Sequence, residues 1–157
     1  MLNIILDELS PKNGIIAKTV SQFLNVIIDS INAIIDSIWD YKMNLKAIDV
    51  EEEVLSYRFK LVVEDKIEIS DINLASSGMK EMINLAFRLV IYKLLNLEGY
   101  PLYLDEFGNR LDKIHRSRIN ELVFKFLNSS MYSQVFLVTH LDMNYSVFKD
   151  TEVLELS

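Results

Sequence analysis

The chain has 157 residues, half of them hydrophobic and a quarter charged, with a formal net charge of −7. That length supports a packed core within one domain, 1–157, and the acidic balance excludes a broad phosphate-binding surface while leaving room for a local basic patch. The absence of cysteine excludes disulfide frameworks and thiolate metal sites; with no basic signal-peptide start and no apolar run of bilayer length, a cytoplasmic location without membrane contact is expected.

Ser10-Pro11-Lys12-Asn13-Gly14 has the chemistry of a turn, and a long helix is expected after it, over 16–39. Val20, Leu24, Ile27, Ile31, Ile34 and Ile38 form one apolar stripe, with Asp29 and Asp36 off it, as in a core-facing, half-exposed helix. The stripe is too short to be a coiled coil by itself. Over 44–72 the pattern turns to β. Tyr57, Phe59 and Leu61 alternate with Ser56, Arg58 and Lys60, and Ile67 and Ile69 alternate after a turn at Glu64-Asp65-Lys66. This predicts a hairpin in a small antiparallel sheet.

Ser76-Ser77-Gly78 opens a second helix, expected over 79–97 and apolar nearly all round, with Lys80, Glu81, Asn84 and Arg88 as its polar stripe. Gly99-Tyr100-Pro101 ends it. The apolar run 102–104 then reads as a buried strand of a parallel sheet, and it stops at two adjacent carboxylates, Asp105 and Glu106. A helix is expected after Asp112 to about 128, a buried strand over 134–139 ending at His140, a short helix over 142–148 and a last strand over 152–156. Alternating strands and helices predict parallel crossovers.

Open α/β sheets bind ligands at the carboxyl ends of their strands. Asp105, Glu106 and His140 all stand at such ends, and Ser76-Ser77-Gly78 stands at a helix start, where free N–H groups attract anions. Alternation along the strand would send the two carboxylates to opposite sides, one to hold a metal and the other to orient or deprotonate a water. Each signal by itself has a plain structural reading: a solvated strand end, a core histidine, a helix cap. Together they supply what phosphoryl transfer needs, namely a metal anchor, a base and donors for the phosphate. A serine hydrolase is disfavoured, because no Gly-x-Ser-x-Gly elbow exists. Lys113, His115, Arg116 and Arg118 form a basic cluster that reads as a solvated face or, in the minority case, a DNA contact.

The same residues resemble the ATP-binding-cassette ATPases, specifically the carboxy-terminal, signature-bearing lobe of their heads. Ala75-Ser76-Ser77-Gly78-Met79-Lys80-Glu81 is similar to the signature motif, Leu102-Tyr103-Leu104-Asp105-Glu106 to Walker B, Asn109-Arg110-Leu111-Asp112 to the D-loop, and Thr139-His140 to the switch histidine, in the family's order and spacing. Phe107 stands where a transporter usually has proline, and Leu9-Ser10-Pro11-Lys12-Asn13-Gly14-Ile15 resembles the re-entry of a coiled-coil arm. Both bring the chain closer to the SMC and SbcC-like DNA-repair ATPases, including phage-type recombination-nuclease ATPases.

The resemblance implies an α/β fold with parallel core strands, flanking helices and a small antiparallel sheet, and a site that uses ATP and Mg²⁺. It implies that Asp105 holds the metal, Glu106 is the general base and His140 meets the γ-phosphate. Ser76, Ser77 and Gly78 would bind nucleotide held by a second copy of the head, and Asp112 would link the two sites. The implied partners are that second head, DNA and a nuclease subunit. No pair of glycines makes a P-loop, so half a head is expected, the P-loop lobe and the coiled-coil arm either belonging to a longer protein of which this chain is a piece or being encoded separately. Ser77 in place of a glycine and Met79 in place of Gln or Glu depart from the signature and imply slow turnover or an altered partner contact. Two other readings remain open: an SMC or RecF/RecN-like chromosome-maintenance ATPase with a kleisin partner, and a non-hydrolysing interaction module on the same fold.

Overall fold

In the computed structural model, which describes residues 14–47, 59–128, 132–139 and 152, the chain divides into two units, Met1–Ser76 and Ser77–Ser157. Of the first unit, helix α1 covers Ile15–Ile38 and buries Ile27, Ile28, Ile31, Ile35 and Ile38. The buried stripe differs from the expected one. Ile35 is fully buried in place of Ile34, while Ile15, Ile16, Phe23 and Val26 near the start are exposed. The reason is that α1 packs on strand β1, Met43–Ala47, which follows the helix closely and reaches only its later turns.

Strands β1, β2 (Phe59–Val63) and β3 (Ile67–Ile69) form the expected antiparallel sheet in that order. Register pairs Met43 with Val63 and Leu45 with Leu61, and these four side chains are all buried. The β2–β3 turn runs through Glu64 and Asp65, each at φ +54, the left-handed pair that matches hairpin twist. Lys42 Nζ meets Asp65 at 2.8 Å beside it.

Among the described residues no strand pairs with the other edge of β1. There the Asn32 side chain of α1 takes the neighbour's place: its Nδ2 donates to Leu45 O at 3.0 Å, and Leu45 N donates to its Oδ1 at 2.7 Å. One amide thus satisfies both backbone groups of Leu45, as a neighbouring strand would.

Of the second unit, helix α2 covers Ser77–Leu94, strand β4 Leu102–Asp105, helix α3 Lys113–Asn128 and strand β5 Val135–Val138. Helix α2 stops short of residue 97 because Asn96 adopts φ +53. Asn96 N then donates to Lys93 O at 3.1 Å and Leu97 N to Tyr92 O at 2.9 Å, a Schellman closure. It is also less enclosed than its sequence suggests: Met82, Ile83, Leu85, Ala86, Leu89 and Val90 are buried, but Phe87 is exposed.

Strands β4 and β5 pair in parallel, Leu102 against Val135 through Asp105 against Val138, with α3 as the crossover. This is the expected architecture, parallel strands with helices plus a small antiparallel sheet. Contrary to expectation, β4 is buried on one face only and β5 is no more than half-buried on that face. Leu102 and Leu104 face the core, whereas Tyr103 is 60% exposed and stacks on Phe136 with ring centroids 4.7 Å apart. Tyr57, the helix expected over 142–148 and residues 153–156 of the last expected strand lie outside the described residues. Among the described residues no helix is long and apolar enough to cross a membrane.

Candidate functional site

Strand β4 ends by changing handedness. Glu106 N donates to Val138 O at 2.8 Å, one step beyond the Asp105–Val138 register pair, and Glu106 itself lies at φ +46. A non-glycine residue there costs about 1–2 kcal/mol, and such outliers concentrate at functional sites. The strand's alternation therefore ends at Asp105 and does not carry Glu106 to the far side. Both carboxylate residues line one pocket of about 300 Å³, bounded along α2 by Lys80, Glu81, Asn84 and Arg88 and along the following loop by Phe107, Asn109 and Arg110. The polar stripe of α2 that is legible in the sequence is the wall of this pocket. Its pairing with the loop is not legible there.

That loop is held by side chains from both flanking helices. Glu81 Oε1 accepts from Gly108 N at 2.6 Å and Oε2 from Arg110 N at 3.1 Å. Arg116 Nε donates to Gly108 O at 3.1 Å and Nη2 to Leu111 O at 2.7 Å. Gly108 lies at φ +85, and a Cβ there would meet Arg116 Cγ at 3.4 Å, so glycine suits the turn on both counts.

Asp112 caps α3. Its Oδ1 accepts from Ile114 N at 2.9 Å and His115 N at 3.1 Å, and its Oδ2 accepts from the His115 ring Nδ1. Side-chain caps of this kind satisfy the free N–H groups of a first helical turn. The basic cluster at the start of α3 is accordingly not one solvated face. His115 is 7% exposed and Arg116 is engaged with the loop backbone, so replacing Arg116 would disturb the turn before it tested any DNA contact. The hydrogen bond from the His115 backbone N–H, followed by the one from its ring, holds the Asp112 carboxyl below its usual pKa. A lowered folded-state value gives stability that is present above the ordinary Asp pKa of about 4 and is lost as pH falls through the folded value. Asp112→Asn is thus expected to flatten the acid limb of an α3 unfolding curve below about pH 4 and leave the neutral limb parallel to wild type. An unchanged acid limb would remove Asp112 from that account.

Ser77 is the first residue of α2 and is exposed, Gly78 follows half-buried, and Ser76 precedes the helix, exposed. His140 lies outside the described residues. Among the described residues no three His, Cys, Asp or Glu side chains gather as a metal cage. The donor set at the pocket, hard carboxylate oxygens at Asp105 and Glu106, fits Mg²⁺, which is typically held by one or two carboxylates together with substrate phosphates.

No protein-family model and no curated protein matches the sequence. Solved structures match the fold. A chain from work on ATP-driven dimerization and DNA-stimulated activation of SMC ATPases aligns at a TM-score of 0.65 and 17% identity, over 82% of this chain and 76% of that one. An Smc head bound to the C-winged helix domain of ScpA aligns at 0.58 and 21%, over 83% of this chain and 39% of that one. The Smc head of Pyrococcus yayanosii, with a coiled coil and joint, aligns at 0.58 and 21%, over 83% and 25%. The protein thus spans three quarters of the first chain and well under half of the other two. At these identities the likeness is one of fold: the α/β arrangement of this chain is similar to part of these SMC head structures.

Proposed function

We propose that the protein is the carboxy-terminal, signature-bearing lobe, 1–157, of an SbcC-like DNA double-strand-break repair ATPase, which works by ATP-driven pairing of heads. The observation that carries this reading is the pocket: Asp105 and Glu106 line it at the carboxyl end of a parallel strand, against the polar stripe of the helix that Ser77 and Gly78 begin. Asp105 would hold Mg²⁺, which when bound neutralises charge on the phosphate oxygens. Glu106 would take a proton from the water that attacks the γ-phosphorus as the bond to the β-phosphate oxygen breaks and ADP leaves. The start of α2, with Ser76, Ser77 and Gly78, would meet the γ-phosphate of nucleotide held by a second head, and Asp112 would link the two sites. His140 would contact the γ-phosphate within its own head.

The P-loop lobe is the first partner in this reading. The exposed, stacked Tyr103–Phe136 pair and the half-exposed Val138 on β4 and β5 support a further layer on that sheet face, since apolar sheet faces are stabilised by burial against another element. DNA and a nuclease subunit complete the assembly. The Smc heads among the structural matches, two of them bound to a ScpA domain, favour a second reading equally well on fold: a chromosome-maintenance ATPase with a kleisin partner. Ser77 and Met79 keep a non-hydrolysing interaction module as the third.

The test is ATP turnover by the chain assembled with its P-loop half, with and without linear duplex DNA. DNA-stimulated turnover is expected, with little binding and no turnover by the chain alone. A stable, nucleotide-bound assembly without turnover would move the protein to the interaction module, and co-purification with a kleisin in place of a nuclease would move it to the chromosome-maintenance branch.

A further inference from the structure

We propose that Glu81 is a positioning residue that ties the loop after Glu106 to helix α2, so that the helix start and the candidate base move as one body. This deepens the ATPase reading and rests on it for its consequence, but not for its geometry. Both carboxylate oxygens of Glu81 are engaged, one by Gly108 N at 2.6 Å and one by Arg110 N at 3.1 Å. Charge-assisted bonds of this kind are about twice as strong as neutral ones. Gly108 is gripped through both of its backbone groups: its N–H by α2 through Glu81, and its carbonyl by α3 through Arg116.

Glu106 lies only two residues earlier, its own N–H bound to Val138 O and its φ at +46. The segment carrying Glu106 is therefore fastened to β5 ahead of the turn and to Glu81 beyond it. A residue held in the left-handed region persists only where its surroundings over-determine it, and Glu81 is one of those surroundings. Glu81 also stands one helical turn, about 6 Å of rise, beyond Ser77. A displacement of the helix start is thus passed to the turn at Gly108–Arg110 without an intervening flexible joint.

Glu81→Gln keeps size and removes charge. One backbone N–H loses its acceptor and faces an amide NH₂. Hydrogen exchange at the Gly108 and Arg110 amides of this chain is expected to rise about ten- to hundredfold, with a change in the Glu106 amide chemical shift and little change at Leu104 or in thermal midpoint. Glu81→Asp restores the charge but is one methylene too short, and is expected not to rescue the exchange. Unchanged exchange at Gly108 and Arg110 in Glu81→Gln overturns the proposal. A rise spread evenly over the unit does so too, because it would mark general loosening. In the head assembled with its P-loop half, Glu81→Gln should lower kcat with the KM for ATP unchanged; wild-type kcat despite locally raised exchange would overturn the link to Glu106. A wild-type assembly that does not turn over ATP would sink the ATPase reading alone, since the exchange experiment decides the clamp without it.

Discussion

Replacing Glu106 with glutamine is expected to lower ATP turnover of the assembled head by about 10²–10⁴-fold, the range of a lost general base, while nucleotide binding persists. Glutamine has the shape of glutamate, leaves the backbone bond to Val138 O untouched and carries the same cost at φ +46, because that cost comes from the Cβ and not from the charge. What it cannot do is accept a proton from water. Glu106 is exposed at the strand end, so folding should be indifferent to the change, and a loss of turnover would report chemistry. Steady-state phosphate release beside equilibrium nucleotide binding makes the separation. Wild-type turnover in the variant would show that Glu106 is not the base and that the pocket works otherwise.

The second large effect is expected far along the chain from that pocket, in the first unit. Asn32→Asp should cost about 2–3 kcal/mol, the sum of one lost hydrogen bond and one backbone carbonyl left facing a like charge. The new carboxylate still accepts from Leu45 N, but where Asn32 Nδ2 donates to Leu45 O it offers only lone pairs. The cost falls on β1, whose other edge is already paired with β2. Asn32→Ala removes both bonds and leaves Leu45 N and O without that partner, so it should cost a similar amount. A lower urea midpoint with an unchanged slope is the expected readout. A midpoint equal to wild type for Asn32→Asp would mean that pairing with β2 alone secures β1.

The two clamps differ in how far they can be foreseen. Asp112 as a helix cap follows from its position two and three residues before the N–H groups it accepts, a local pattern that a linear reading can find. Glu81 is 27 residues from Gly108 and 29 from Arg110 along the chain, and nothing in its neighbourhood names those partners. Arg116 was legible as a cation beside other cations, and the fold turned it inward onto Gly108 and Leu111.

By itself the sequence determined the alternation of helix and strand, the parallel β4–β5 pairing and the β2–β3 hairpin, because periodicity and turn chemistry are local properties. It also marked Asp105 and Glu106, since two carboxylates ending an apolar run need no partner to be seen. Only the tertiary structure decided that Ile35 and not Ile34 reaches the core, that Tyr103 faces outward, and that both carboxylates share one pocket. Those outcomes depend on which neighbour arrives at each face. The single torsion at Glu106 illustrates the division: a strand's alternation is written in its residues, but the place where it is broken is set by what holds the backbone on either side, here Val138 of β5 and, two residues on, Glu81 of α2.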